Sequence, residues 1–223
     1  MAKYTAFSRS EIIARYGEVP RFQGDAFEGV DLQGTPLAGA RFSQASFKGA
    51  NLSRADLHGA LLVDCMLYEV NLRAASLADA NVENVRLVSC DLNELVATGA
   101  AFYRMRVERC ALMNAAMAGA RILASSFPHT DLYGSELAGA RLIRVDFSDD
   151  GRGTASLIRA RLSGAVLIDV NFSHANLEGA DLSDAVMLSV NLEGANLRGA
   201  DLRGTAMVDV NMHAADVAGL RRE

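Results

Sequence analysis

The sequence lacks the features that would carry a chain into or across a membrane. No stretch of its 223 residues is apolar for long enough to span a bilayer. The apolar core of a secretory signal peptide is also missing from the first residues. These absences predict a cytoplasmic protein that is neither secreted nor inserted into a membrane.

Cysteine is scarce, and its three copies do not predict a disulfide. Cys65, Cys90 and Cys110 each stand where a repeating pattern elsewhere has alanine. Cys90 and Cys110 are one period of twenty residues apart, so in a coil they would stack at about 4.8 Å, which suits a disulfide poorly. We therefore expect buried thiols that pack as small apolar side chains.

An excess of basic charge is absent too, because the formal net charge is -5 at pH 7. This argues against a protein that binds nucleic acid directly by covering phosphates with lysine and arginine. It gives only weak support to the opposite idea, an acidic surface that imitates DNA.

What the sequence has instead is an apolar side chain at every fifth position, from Phe22 to Val217. Only Arg152 places a charge in this series. A period of five matches neither the 3.6 residues of a helical turn nor the alternation of a strand, so the chain must turn at each repeat. The pattern predicts a solenoid with these side chains inside.

Two further regularities define the repeat and the shape of the coil. Small residues precede the apolar ones by two positions, with Asp or Asn between, as in Ala50-Asn51-Leu52 and Ala180-Asp181-Leu182. The repeat is therefore A-(D/N)-L-x-x. Gly-Ala pairs recur every twenty residues, so four pentapeptides make one turn with a square cross-section. Stacked turns would pair as parallel strands about 4.8 Å apart.

With this motif over most of its length, the sequence resembles the pentapeptide repeat proteins. The resemblance implies an all-β fold, a right-handed quadrilateral parallel β-helix of about ten coils. We assign residues 20–220 to this β-helix and residues 1–19 to an N-terminal leader with a short capping helix. Ser8-Arg9-Ser10-Glu11 offers a capping box for that helix, and Ile12 supplies part of an apolar face that would cover the open end of the coil.

The C-terminal end has no such cover in the sequence, since repeats run through Val217. Either a second copy pairs with the last turn or the final residues fold over it, and the resemblance implies self-association there. Outward apolar residues near this end predict three stacked strands that form an interface; ordinary β-propensity is the alternative. The candidates for a homodimer interface are Val166, Ile168, Val186, Leu188, Val208, Met212, Val217 and Leu220, with Ala206 among the outward residues.

Arginines mark what the sequence predicts to be a second side of the coil. Arg121, Arg141 and Arg161 are spaced by twenty residues and would share one outward column. Arginine among tyrosine and aliphatic residues is typical of protein-binding hot spots; a solvated face with arginine stems lying over the strands is the alternative. The other candidates for partner binding on this side are Arg104, Arg144, Tyr103, Leu123 and Ile143.

One segment, 148–154, interrupts the pattern and places Arg152 where a leucine belongs. Gly-Ala pairs before and after it keep the same twenty-residue phase. The sequence therefore predicts that the segment occupies one face as a bulged loop and adds no quarter turn. Arg152 must point outward, because a buried unpaired guanidinium is prohibitive. Asp149, Asp150 and Arg152 are further candidates for partner binding.

An enzyme is not expected, because a rod filled with leucine offers no cavity where catalytic groups converge. His58, His129, His174 and His213 show no metal-ligand spacing, so no catalytic, cofactor or metal residue is predicted. The prediction is a non-catalytic protein that binds other proteins. Its most testable form, implied by the resemblance, is a DNA mimic that binds DNA gyrase or topoisomerase IV and protects it from quinolones or natural-product poisons. The alternative is a scaffold or regulator with another cytosolic protein partner.

Overall fold

The computed structural model describes residues 9–14, 20–148 and 154–223. One helix, α1 (Arg9–Ala14), precedes a series of three-residue strands. The strands are β1 Arg21–Gln23, β2 Arg41–Ser43, β3 Ser46–Lys48, β4 Leu61–Val63, β5 Met66–Tyr68, β6 Asn81–Glu83, β7 Arg86–Val88, β8 Ala101–Tyr103, β9 Arg106–Glu108, β10 Arg121–Leu123, β11 Arg141–Ile143, β12 Val166–Ile168, β13 Val186–Leu188 and β14 Ala206–Val208.

The strands stack in parallel from turn to turn, which confirms the predicted all-β solenoid. Ten of them form one sheet in the order β1-β2-β4-β6-β8-β10-β11-β12-β13-β14, and β3-β5-β7-β9 form another. Single parallel bridges such as Asp31↔Asn51 and Pro36↔Asp56 join the turns on the two other sides. We call the four sides the first, second, third and fourth faces, which begin in the first turn at Arg21, Ala26, Asp31 and Pro36.

The core is the stack of every-fifth apolar side chains together with the small residues before them. The four inward side chains of one turn, one from each face, are completely buried: Leu162, Leu167, Phe172 and Leu177. Phenylalanines stack along the axis in the first two turns and again beyond the middle of the coil, where the rings of Phe147 and Phe172 lie 5.0 Å apart. Apolar burial on this scale is what stabilises a coil whose individual sides are only three residues long.

The corners explain why Asp and Asn precede so many of the buried leucines. The Asp131 Oδ1 atom accepts a hydrogen bond from the Tyr133 backbone N–H at 3.0 Å, which fixes the chain as it enters the corner. The next residue adopts a positive φ, as Gly134 does at 63°. Asn side chains also link turns, since Asn211 Nδ2 donates to Asn191 Oδ1 at 3.0 Å. These two hydrogen bonds were not part of the sequence prediction.

The interrupted segment changes the register, and the prediction that it occupies one face of the coil was wrong, because Asp146 lies on the second face and Ser156 already lies on the third. Arg141 pairs with Val166, which is 25 residues later, whereas the preceding step, from Arg121 to Arg141, is 20 residues. Gly-Ala pairs misled the prediction because they occur at more than one corner. Gly139-Ala140 leads into the first face, whereas Gly179-Ala180 leads into the fourth. Residues 149–153, with Asp149, Asp150 and Arg152, lie outside the described residues.

The two ends of the coil differ. At the N-terminal end, Ile12 of α1 is 1% exposed and belongs to the same core cluster as Phe22. At the other end the inward side chains of the last turn are open, with Met207 37% and Val217 44% exposed. No helix in the described part of the chain is long and apolar enough to cross a membrane.

Candidate protein-binding face

The six strands β8 and β10 to β14 form the continuous C-terminal part of the first face. Their registers are in phase, so Leu123 stands beside Ile143 and Ile168 beside Leu188. The outward side chains that follow the inward residues of these strands are all aliphatic or aromatic. We call them the apolar column: Tyr103, Leu123, Ile143, Ile168, Leu188 and Val208.

The arginine side and the apolar strands, predicted as separate sides, are one face. Arg121 and Arg141 stand in the outward column that Val166 and Val186 continue towards the C-terminus. Arg161 does not belong there, because it bridges Glu136 on the fourth face, and its Nε lies 3.2 Å from Glu136 Oε2. The five-residue shift in register at the interruption moved Arg161 off the first face and brought Val166 onto it.

A third column runs along the corner that closes each strand of this face. We call it the corner column: Arg104, Ala124, Arg144, Asp169, Ser189 and Asp209. All six side chains are exposed. Arg104 forms an ion pair with Glu83 at 2.8 Å, and its guanidinium carbon lies 4.4 Å from the centre of the Tyr103 ring. The corner column is therefore basic towards the N-terminus and acidic towards the C-terminus.

Much of the apolar column is accessible to solvent. Val208 is 56% exposed and Tyr103 40%, while Leu123, Ile143 and Ile168 are half-buried. Val186 in the neighbouring column is 46% exposed. A contiguous apolar strip on a solvent-exposed β face is typical of an interaction surface.

The remaining dimer candidates lie elsewhere, at the C-terminal end of the coil. Met212 and Val217 occupy inward positions of the last turn, and Leu220 is partly buried against the core. Arg222 reaches back over this end, where its Nη2 donates to Met212 Sδ at 3.3 Å. The predicted interface residues are thus divided between the first face and the open end.

The sequence did not predict a charged cluster on the second face. Glu108 is only 8% exposed and accepts hydrogen bonds from Arg106 Nε and Arg86 Nη2, both at 3.2 Å. Arg109 Nη1 lies 2.9 Å from its other carboxylate oxygen. Burial raises the pKa of the Glu108 carboxyl, but the hydrogen bonds from Arg106 and Arg86 and the charge of Arg109 outweigh it and leave the pKa below its ordinary value.

Replacing Glu108 with glutamine is expected to destabilise the protein by about 1–2 kcal/mol, because three arginines then surround a neutral amide. Since the folded-state pKa of Glu108 is depressed, the carboxylate stabilises the fold above its unfolded pKa, and this contribution is lost as the pH falls through the folded pKa. Urea denaturation of both proteins at neutral and acidic pH measures the difference. The matched control is Glu94→Gln, which removes a half-exposed ion pair with Arg73 and should change stability by less than about 1 kcal/mol.

The interior of the described coil consists of apolar side chains and a few buried thiols and hydroxyls. A narrow void along the axis between Phe42 and Phe127 is lined by apolar side chains alone. Cys65, Cys90 and Cys110 are buried and free, and burial raises the pKa of the Cys65 thiol to about 11. No group of three or more histidine, cysteine, aspartate or glutamate side chains that could hold a metal ion occurs among the described residues.

The repeats found in the structure also match a known protein family. A family model described as pentapeptide repeats matches in 8 copies, over residues 27–64, 65–102, 155–184 and 185–219. No curated protein matches the chain.

Several solved structures are similar. HetL, a pentapeptide repeat protein involved in heterocyst differentiation regulation from the cyanobacterium Nostoc sp. strain PCC 7120, is 22% identical over 96% of each chain, with a TM-score of 0.33. Full-length QnrB1, a plasmid-mediated fluoroquinolone resistance protein, is 19% identical over 91% of this chain and 92% of its own, with a TM-score of 0.34. Because the family model matches more than half of the residues, this chain belongs to the pentapeptide repeat family.

Proposed function

We propose that this protein is a non-catalytic binding module that uses the C-terminal part of its first face to bind a protein. The observation that carries the proposal is the apolar column, which continues without a polar residue from Tyr103 to Val208 and is flanked by Arg121 and Arg141. Apolar and arginine side chains on a rigid surface are the usual composition of a binding hot spot. The proposal includes a cytoplasmic location.

The architecture supports this use of the face. The strands of this face from β8 to β13 are fixed by hydrogen bonds to the turns on both sides, so the backbone of the face loses little freedom when a partner binds. The alternative, a face exposed only to solvent, explains the structure less well. Such faces carry scattered apolar residues, whereas here six stacked positions in succession are aliphatic or aromatic.

The test is a binding comparison between two matched variants. Ile168→Asp places a charge at the centre of the apolar column, and Ile158→Asp makes the same change at the equivalent half-buried position of the third face. We expect Ile168→Asp to abolish capture of the partner from source-cell extract and Ile158→Asp to leave it intact. Equal capture by both variants would refute the assignment of the face.

A more specific form of the proposal is DNA-mimic binding to DNA gyrase or topoisomerase IV. Family membership supports it, as does the charge of the fourth face in its N-terminal turns, where Asp56 and Asp79 have no lysine or arginine on the same face from the turn of Pro36 to that of Ala116. QnrB1, similar in fold, is described as a fluoroquinolone resistance protein. The basic half of the first face is the wrong sign for a mimic, so the fourth face would have to face the enzyme.

A gyrase supercoiling assay, titrated with and without a fluoroquinolone, tests this form. If the fourth face imitates DNA, the purified protein should inhibit or rescue supercoiling, and Asp56→Lys with Asp79→Lys should remove the effect. Ile168→Asp on the first face should not. The absence of any effect of the unmodified protein would leave the scaffold alternative, in which another cytosolic protein occupies the first face.

A further inference from the structure

We infer that the first face binds a second copy of this chain, with the two rods antiparallel and face to face. This inference rests on the proposed function, because it names the partner of the same face. It concerns the side of the rod and is separate from the predicted contact at the open C-terminal end, where Met212 and Val217 lie.

The corner column supplies the main argument, since its charges are arranged as an inverted repeat. From the N-terminal side the column carries positive, neutral, positive, negative, neutral and negative side chains: Arg104, Ala124, Arg144, Asp169, Ser189 and Asp209. A two-fold axis that lies in the interface, perpendicular to the rods and between the turns of Arg144 and Asp169, sets each column against its own reverse. Arg144 then faces Asp169 of the second copy, and Arg104 faces Asp209.

The apolar column is self-complementary about the same axis. Ile143 would face Ile168, Leu123 would face Leu188, and Tyr103 would face Val208, so every position meets an apolar partner. In the remaining outward column, the stems of Arg121 and Arg141 would lie over Val186 and Val166. Asp184, two residues before Val186, stands at the adjoining corner, where it can receive the Arg121 charge.

Other arrangements of the same two faces are disfavoured by like charges. A slip of one turn in either direction places Arg144 opposite Arg144, or Asp169 opposite Asp169, and leaves no opposite charges paired in the corner column. Parallel rods would place Arg144 of one copy opposite Arg141 of the other. Like charges that destabilise incorrect registers are a common source of specificity in protein interfaces.

The size of the face predicts how strong the association is. Six strands at about 4.8 Å cover about 29 Å of the rod, and a face is about 13 Å wide, so two copies would bury on the order of 1,000 Å² in total. That value is at the low end for specific interfaces. We therefore expect a dimer that forms at micromolar concentration and dissociates on dilution or at high salt.

Charge exchange tests the register in the full chain. Sedimentation equilibrium over a concentration series should show that Arg144→Asp and Asp169→Arg each raise the dissociation constant by at least about tenfold. The double variant Arg144→Asp with Asp169→Arg should return it to near the original value. Asp64→Arg makes the same charge change in the same column but outside the overlap of the two copies, and it should have no effect.

Cross-linking tests the orientation. Ala124→Cys in one protein preparation and Ser189→Cys in another would face each other across the interface, whereas two Ala124→Cys chains would place their thiols about 14 Å apart along the rods. The three native cysteines are buried. A short bifunctional thiol reagent should therefore join the two variants when they are mixed and neither variant alone.

The possible failures are distinguishable. A monomer at the highest concentration, or a dimer that is indifferent to both single charge changes, would overturn the antiparallel pairing. If in that case Ile168→Asp still abolishes capture of a different protein while Ile158→Asp does not, the proposed function stands without the self-pairing. If neither variant affects any binding, both proposals fail.

Discussion

Replacing Phe147 with alanine is expected to lower the free energy of unfolding by about 3–5 kcal/mol. Phe147 is completely buried, and its ring stacks between those of Phe127 and Phe172, each 5.0 Å away. The neighbouring backbone is held by hydrogen bonds between turns and cannot collapse into the space that the ring leaves. Chemical denaturation followed by circular dichroism measures the loss.

A matched variant separates the loss of ring volume from any change at this position. Phe147→Leu introduces the side chain that Leu67, Leu87 and Leu192 supply at the same position of other turns, and it should cost about 1–1.5 kcal/mol. A loss below about 1 kcal/mol for Phe147→Ala would mean that the turns can close around the cavity, contrary to the rigid stacking described for the core.

Deleting five residues should either preserve or abolish self-association through the first face, depending on which five are removed. Removal of 149–153, combined with Thr154→Gly, leaves Ser148, the glycine and Ala155 in normal repeat phase, so Ile143 stays beside Ile168. Glycine is needed because the corner residue adopts a positive φ, which a β-branched side chain resists. We expect the association of the first face to persist.

Removal of 156–160 should instead rotate every later turn by one face. Asn171 would then follow Arg141, and the apolar column would continue from Ile143 to Ser173, Glu193 and His213. Each inward position remains apolar, so the coil should fold, with a circular dichroism spectrum like that of the unmodified chain. Sedimentation should show complete loss of self-association. Persistent dimers of this variant would show that the first face is not the interface.

Part of the face could be predicted from the sequence. Ile168 and Leu188 are twenty residues apart, and the sequence correctly predicted that they stack. Ile143 and Ile168 are 25 residues apart, so nothing in the twenty-residue period joined them. For the same reason Arg161 was assigned to the arginine column although it pairs with Glu136. The cluster around Glu108 was missed because Arg86 belongs to the preceding turn and becomes a neighbour of Glu108 and Arg106 only when the two turns stack.

The sequence by itself determined the cross-section of this protein. An apolar residue at every fifth position, with a small residue two places before it, can be buried only if the chain turns once per pentapeptide. Which face each pentapeptide occupies was decided by the tertiary structure. An inward leucine marks a side of the coil but does not say which of the four sides it is. At the interruption, hydrogen bonds between turns placed Val166, and not Arg161, beside Arg141 on the first face. The sequence period could not show this, because five extra residues at a corner shift every later pentapeptide to a different face.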